Sequence, residues 1–478
     1  MSATRRAMVW PGALCLAAGL ALAAASCMRV AYLPTYPPAL PGAFSASGQV
    51  RPPGKWWRAF GDARLDELME RALAGNLDLL TAWDRLSQAE ALARRAGAEL
   101  EPSLTANAEA RRTRTKTELA GTNSATTITL GLVAGYEVDL WGRVRATRDA
   151  AALAAAASRH DVDATALILS AQVAATWYRI LDQRGQLALL DEQLKVNKEY
   201  LDLMEFRFAR PAAERKVSLV DLLQQRQLVE ATRAERHRAE SALAVLEHQL
   251  ALLLGEPPAV AAAGEGAGLP ELPPLPEAGV PADLLRQRPD VRAAELRLEG
   301  ANRDVAAAVA DRLPRLSLTA RAEAWGDDAR GLFDNWLASI AANLSAPLLD
   351  GGRRVAEVDA RRATAAERFH AYRRAILIAL REAEDALVQE RQQRRFLASL
   401  DEQVGLAAKA AEQARERYIS AGEDYLRVLT AIQALQRLER DRLAARRQLI
   451  EFRIALHQAL GGTWDLRRPA SPWAKGPQ

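Results

Sequence analysis

Histidine and cysteine are the side chains of widest chemical range, and this sequence of 478 residues holds five of the first and two of the second. A catalytic metal would need several of His160, His237, His248, His370 and His457 at ligand spacing with a carboxylate. The sequence has neither a His-Glu-x-x-His helix nor a comparable cluster. His237 and His248 can share one helix face, but a single helix supplies too few ligands, so both read as solvent-facing. No Gly-x-Ser-x-Gly elbow offers a nucleophile. The glycines between Gly255 and Pro281 follow no strand and do not form Gly-x-Gly-x-x-Gly, which removes the phosphate cradle of a nucleotide site. Carboxylates are abundant but scattered, and nothing in their spacing marks an acid–base pair. The expectation is a protein that is not an enzyme and needs no metal or cofactor. No nucleic-acid partner is expected either: 64 basic residues are matched by 60 acidic ones interspersed with them, and runs such as Arg353, Arg354 and Arg361, Arg362 read as solvated helix faces.

One cysteine keeps a chemical role. Arg5 and Arg6 precede an apolar stretch from Ala7 to Ala25, the plan of a secretory signal over residues 1–26. Ala24, Ala25 and Ser26 then lead into Cys27, a run that resembles a bacterial lipobox, in which the Cys thiol receives a diacylglycerol and becomes the new N-terminus. Ala24 stands where Leu is usual, with Leu22 the nearest Leu. Ordinary cleavage after Ala25 is the alternative. Cys15 falls inside the signal, so the mature chain would keep Cys27 alone and has no disulfide framework. Met28 rather than Asp after the Cys implies, by resemblance to bacterial lipoproteins, an outer-membrane destination. Beyond the signal no apolar run reaches the ~18 residues of a membrane-spanning helix.

The elements that must position any site are written twice. Pro102, Ser103, Leu104 recurs 212 residues later as Pro314, Arg315, Leu316; Trp141, Gly142, Arg143 recurs after 210 as Gly351, Gly352, Arg353; and Leu253, Leu254, Gly255 returns after 206 as Ala459, Leu460, Gly461. Copies at 27–255 and 282–462 flank a Pro- and Gly-rich linker at 256–281, and a tail follows at 463–478. Each copy reads helix, strand, strand, long helix, turn, long helix. Leu187, Leu190, Leu194, Asn197, Leu201, Met204 and Phe208 step by threes and fours, as do Leu397, Leu400, Val404, Ala407, Ala411, Ala414 and Tyr418. That is the seam of an antiparallel coiled coil. Its expected partners are Leu243, Leu246, Leu250, Leu253 and Leu449, Phe452, Leu456, Ala459. No proline interrupts Arg353 to Ser420, 68 positions that span roughly 100 Å as helix.

The strand pairs alternate with period two. Ile128, Leu130, Leu132, Ala134, Tyr136 and Val138 interleave with polar or small residues, as do Trp336, Ala338, Ile340, Ala342 and Leu344. The hairpin mates carry Leu104, Ala106, Ala108, Ala110 and Leu316, Leu318, Ala320. Segments of about ten such residues suit lipid-facing barrel strands, whereas a half-buried sheet packed on the helices is the other reading. Four strands cannot close a barrel, and open edges are not tolerated in lipid, so strands in a membrane would require several subunits.

Further residues complete a pattern: Trp57, Phe60, Asp62, Leu65; Asn76, Asp78, Leu79, echoed by Arg288, Pro289, Asp290, Val291; Asp139 to Arg143; Pro347 to Arg353; and Arg417, Tyr418, Gly422, Leu426 to Leu429. In order, duplication and spacing the chain resembles the TolC-like outer-membrane efflux family, in its lipoprotein, NodT-like branch serving RND-type tripartite exporters. The resemblance implies a mainly α fold with a transmembrane β part. It implies a homotrimer whose subunits give four strands each to one barrel, with long helices forming a periplasmic α-barrel. It further implies a passive conduit for drugs or other small molecules, a periplasmic adaptor and an inner-membrane pump as partners, and an outer-membrane location with a lipid anchor on Cys27. A periplasmic lipid-anchored coiled-coil adaptor or scaffold is the alternative.

By the same resemblance the periplasmic entrance lies at the two turns, Phe208 to Ser218 and Tyr418 to Tyr425, with Ser218, Asp221, Tyr418, Asp424, Leu426 and Arg427 as gate residues. The first turn lacks the usual Gly and carries Pro211, and Thr430 stands where relatives often have Asp. For Asp424 and Arg427 the competing reading is solvated charge at a helix start, where Asp is favourable anyway.

Overall fold

A computed structural model describes residues 38–49, 54–118, 121–211, 217–258, 268–420, 424–462 and 466–469. The signal and Cys27 lie outside them, as do parts of the linker and tail. The helices are α1 (Ala63–Gly75), α2 (Leu77–Ala98), α3 (Arg143–Phe208), α4 (Leu219–Leu254), the single turn α5 (Leu284–Gln287), α6 (Pro289–Ala310), α7 (Arg353–Ser420) and α8 (Tyr425–Leu460). The strands are β1 (Ser103–Thr117), β2 (Gly121–Val138), β3 (Arg315–Gly326) and β4 (Asn335–Ser345). The described residues form two compact units, one from within 89–155 and 296–371, the other from within 38–88, 156–295 and 372–469.

The first unit holds one antiparallel sheet in the order β1-β2-β3-β4. Its register stacks the apolar positions of the two copies in rows: Leu104, Ala134, Ala320, Ile340; then Ala106, Leu132, Ala322, Ala338; then Ala108, Leu130, Ala324, Trp336. Tyr136 with Leu318 and Ala342, and Val138 with Leu316 and Leu344, extend the same face. The other face carries Thr105, Val133, Arg321, Ser339 and Asn107, Gly131, Glu323, Leu337. A sheet laid over the chain's own helices would bury alternate residues. Instead all eleven residues of β4 are exposed, Ile340 at 87%. That exposure runs against the half-buried alternative, although β2 and β3 are partly covered, and both edge strands lack an outer neighbour among the described residues. The first hairpin runs longer than the ten residues read from the alternation, with 15 in β1 and 18 in β2, because its polar tips keep pairing to Thr117 and Gly121.

The Asp-Leu-Trp-Gly-Arg motif and its echo build the corners from strand to helix. Gly142 (φ 77°) and its counterparts Gly351 (63°) and Gly352 (84°) take left-handed backbone that disfavours a side chain. Asp139 accepts the N–H groups of Val144 and Arg145 at 3.1 and 3.0 Å and so caps α3. The Trp141 indole donates to the Pro314 carbonyl at 2.7 Å, and Arg143 pairs with Glu137 at 2.8 Å. In the second copy Arg354 joins Asp350 and Asp311 at 3.0 and 3.1 Å. This half-buried clamp corrects the expectation of a merely solvated Arg354, whereas the Arg361–Glu357 and Arg362–Asp359 pairs are exposed, as expected.

In the second unit, aromatic residues of the one-turn Trp56–Phe60 segment enter the core with Leu65, Leu68, Trp83, Trp177 and Tyr178. Asp62 caps α1 and also accepts the Trp177 indole at 2.7 Å. Asn76 joins the start of α2 to the Leu253 carbonyl at 3.0 Å, and Gly255 (φ 76°) passes so close to Gly75 that no side chain fits. The echo works by charge: Arg288 ties Asp290, Glu382 and the Ala459 carbonyl together. Every heptad position named above is buried or half-buried.

His457 stacks on Trp56 at 5.3 Å in this core. Burial first, then the Arg453 charge, pushes its imidazole down to about 4. The unfolded chain binds the proton near 6.5, so acidification between 6.5 and about 4 favours unfolding, by about 3 kcal/mol once below both values. We expect His457→Gln to flatten the acid limb of stability relative to wild type, read from thermal unfolding by circular dichroism at pH steps across that window.

Candidate functional site

The two helix-to-helix turns of the second unit converge on one cluster. α3 ends at Phe208 and α7 at Ser420, after which Ser218 caps α4 and Asp424 caps α8. Ser218 and Asp221 form a reciprocal capping box: the Asp221 N–H donates to the Ser218 hydroxyl at 3.1 Å and the Ser218 N–H to the Asp221 carboxylate at 2.9 Å. The Leu426 N–H donates to the Asp424 carboxylate at 3.0 Å, and Arg427 and Leu426 are exposed on the first turn of α8. The competing helix-start role of Asp424 is therefore present in the geometry, whatever else the residue does.

Tyr418 lies inside α7 rather than in the turn, and it is buried. Its ring meets Tyr425 edge-on at 5.5 Å and carries the Arg207 guanidinium 5.2 Å above its face. Met204, Val217, Leu222, Val428, Leu429 and Ile432 close round the two rings, so the ends of α3 and α7 and the starts of α4 and α8 share one apolar plug. All six expected gate residues lie at these helix ends: Ser218, Asp221, Asp424, Leu426 and Arg427 at the starts of α4 and α8 around the plug, and Tyr418 within it.

Beneath the plug lies a polar layer that the gate list missed. Tyr425 donates its hydroxyl to Gln225 at 2.5 Å, and Gln225 donates to the Asn197 carbonyl at 2.6 Å. Asn197 donates to Thr232 at 3.0 Å and exchanges bonds with Gln436 at 2.9 and 3.3 Å; Gln193 reaches the Gln436 carbonyl at 3.1 Å. These side chains are all buried and join α3, α4 and α8. Burial raises the Tyr425 phenol above its ordinary range, with the neighbouring Tyr418, Tyr200 and Asp221 adding to the effect, so it stays a donor at any physiological pH. The signal was Asn197 itself, a polar residue in an apolar seam, the usual mark of a position that fixes register.

The histidines do not come together. His160 lies beside Asp163, His237 pairs with Glu240, His370 packs against Phe369, and His457 is the core residue already described.

Comparison with known proteins places this geometry. The family model for outer membrane efflux protein matches residues 68–256 and 280–462. The pyoverdine export outer membrane protein OpmQ of Pseudomonas putida is 32% identical over 437 residues, covering 89% of this chain and 91% of that protein. The outer-membrane channel OprN superposes with a TM-score of 0.83 at 26% identity, over 91% of this chain and all of that one. A membrane protein from Pseudomonas aeruginosa superposes at 0.82 with 31% identity, over 90% and 99%.

Proposed function

The chain belongs to the outer membrane efflux protein family, and from that premise we propose that it is the outer-membrane channel of a tripartite exporter, assembled from three copies. The observation that carries this reading is the sheet: four strands with an exposed apolar face and two open edges, which lipid accepts only once neighbouring copies close the ring. Its single open layer also disfavours the adaptor alternative, which would need a compact β-domain.

On this reading Cys27 carries the lipid anchor, the long helices reach into the periplasm, and an adaptor and an RND-type pump supply cargo and energy. The name of OpmQ points to small organic cargo. The turns at Phe208–Ser218 and Ser420–Tyr425 form the entrance. Ser218, Asp221, Asp424, Leu426 and Arg427 line its rim, and Tyr418 with the polar layer holds the helix pairs together.

Purified in detergent, the chain should run as a heat-sensitive trimer and give a small conductance in planar bilayers. Gln225→Ala removes the bonds to Tyr425 and to the Asn197 carbonyl. At about 1–3 kcal/mol for groups left unpaired, it should shift the balance toward open entrances about 5- to 150-fold, seen as longer open times. A monomer that stays soluble without detergent would refute the channel; unchanged gating in Gln225→Ala would refute the polar layer as what holds the entrance closed.

A further inference from the structure

The outward face of β1 does not stop where its apolar residues stop. Even-numbered positions share one side of this strand, so Leu104, Ala106, Ala108 and Ala110 are followed on the same face by Arg112, Arg114 and Lys116, opposite Thr126, Ser124 and Thr122 of β2. All three basic side chains are exposed. Neither an acidic partner nor another polar contact meets them among the described residues, whereas Arg111 on the opposite face pairs with Glu109 at 2.6 Å. Pairing of β2 with β3 ends at Ile128, so the basic strip stands on the two-stranded extension of the first hairpin.

Trp336 marks the same end of the apolar band on β4. It lies on the apolar face, 72% exposed, in the row of Ala108, Leu130 and Ala324. An outward aromatic at the end of an apolar band is the mark of a membrane–water interface. Because rows of paired residues are inclined to the membrane plane when the strands tilt, height is counted along β1 itself: at ~3.4 Å per residue and a tilt of ~40°, Arg112 lies about 5 Å, Arg114 about 10 Å and Lys116 about 16 Å beyond Ala110, the last apolar residue on that face. Phospholipid headgroups add only ~5–8 Å to the hydrocarbon on each side. Three cations on the lipid side, unpaired and stacked upward past the headgroup level, match a taller anionic headgroup. We propose that Arg112, Arg114 and Lys116 bind the phosphates of an outer-leaflet glycolipid, an assignment that rests on the membrane-spanning reading of the sheet. Charge complementarity and continuity with the lipid-facing surface carry it.

The test uses the full chain, wild type and with Arg112→Gln, Arg114→Gln and Lys116→Gln combined. Arg111→Gln, on the opposite face, is the control. Flotation with phosphatidylcholine vesicles reads insertion. Binding of a fluorescent diphosphorylated lipid A, against its phosphate-free form and against inorganic phosphate, reads the site. Insertion should be unchanged, and affinity for the diphosphorylated lipid should fall about 10- to 100-fold in the triple variant but not in the control. Equal binding of the phosphate-free lipid, an unaffected triple variant, or full competition by inorganic phosphate would overturn the assignment alone. Failure of the wild type to float would overturn the membrane reading, and the assignment with it.

Discussion

Arginine at Ile340 should abolish the membrane-inserted trimer, while arginine at the adjacent Ser339 should leave it intact. Ile340 sits in the row of Leu104, Ala134 and Ala320, with apolar rows on either side, which puts it near the middle of the band. A cation at that depth on the lipid face of a barrel costs about 2–4 kcal/mol, and a trimer would carry it three times, roughly 6–12 kcal/mol in all. Ser339 belongs to the row of Thr105, Val133 and Arg321, a face that already accepts a guanidinium. Heat-resistant trimer on gels and flotation with vesicles read the outcome. The reverse pattern, Ser339→Arg lost and Ile340→Arg retained, would invert the two faces of the sheet.

What the sequence made legible follows from periodicity. Alternation in β1 to β4 placed the apolar residues on one face, and the duplicated corner motifs fixed where strand becomes helix, because only glycine at Gly142, Gly351 and Gly352 takes the backbone required there. The heptads located the seams, and the proline-free stretch from Arg353 to Ser420 coincides with α7. Site chemistry was less legible. Gate residues were read from the turns, yet Tyr418 is part of a helix and a buried plug, and the polar layer beneath it is made by Gln193, Gln225, Thr232 and Gln436, residues whose types are common on any exposed helix. A glutamine becomes informative only when a neighbouring helix covers it, and that depends on contacts far apart in sequence, such as Asn197 with Gln436. Charge suffered likewise: most arginines in the long helices are solvated, and nothing local distinguishes Arg354 or Arg453, which are not.

Arg453 supports the strongest expectation for stability. Its side chain is wholly buried, forked onto Glu390 at 2.9 and 2.7 Å, with its remaining amine bonded to the carbonyls of Pro273 and Pro274 at 2.7 and 2.8 Å. It therefore fastens the linker to α7 and α8 at once. Burial alone would raise the Glu390 carboxyl, but the bonds and charges of Arg453 and Arg394 outweigh it and hold the group below its usual range. Arg453→Ala leaves that carboxylate buried with only Arg394, itself half-exposed, and strips two prolyl carbonyls of their donor. A loss of about 3–5 kcal/mol is expected, because breaking one partner of a buried pair strands the other. Replacing both residues, Arg453→Leu with Glu390→Leu, should recover most of it, since an apolar pair strands no charge and only the prolyl carbonyls still lack a donor. In wild type the depressed Glu390 group adds stability above the unfolded carboxylate range and loses it as pH falls through the folded value. Arg453→Ala should lack that acid-dependent loss. Unfolding midpoints of the three proteins at neutral and acidic pH decide the matter: if Arg453→Ala is as stable as wild type, or the double replacement is worse than the single, the pair is not what holds the linker.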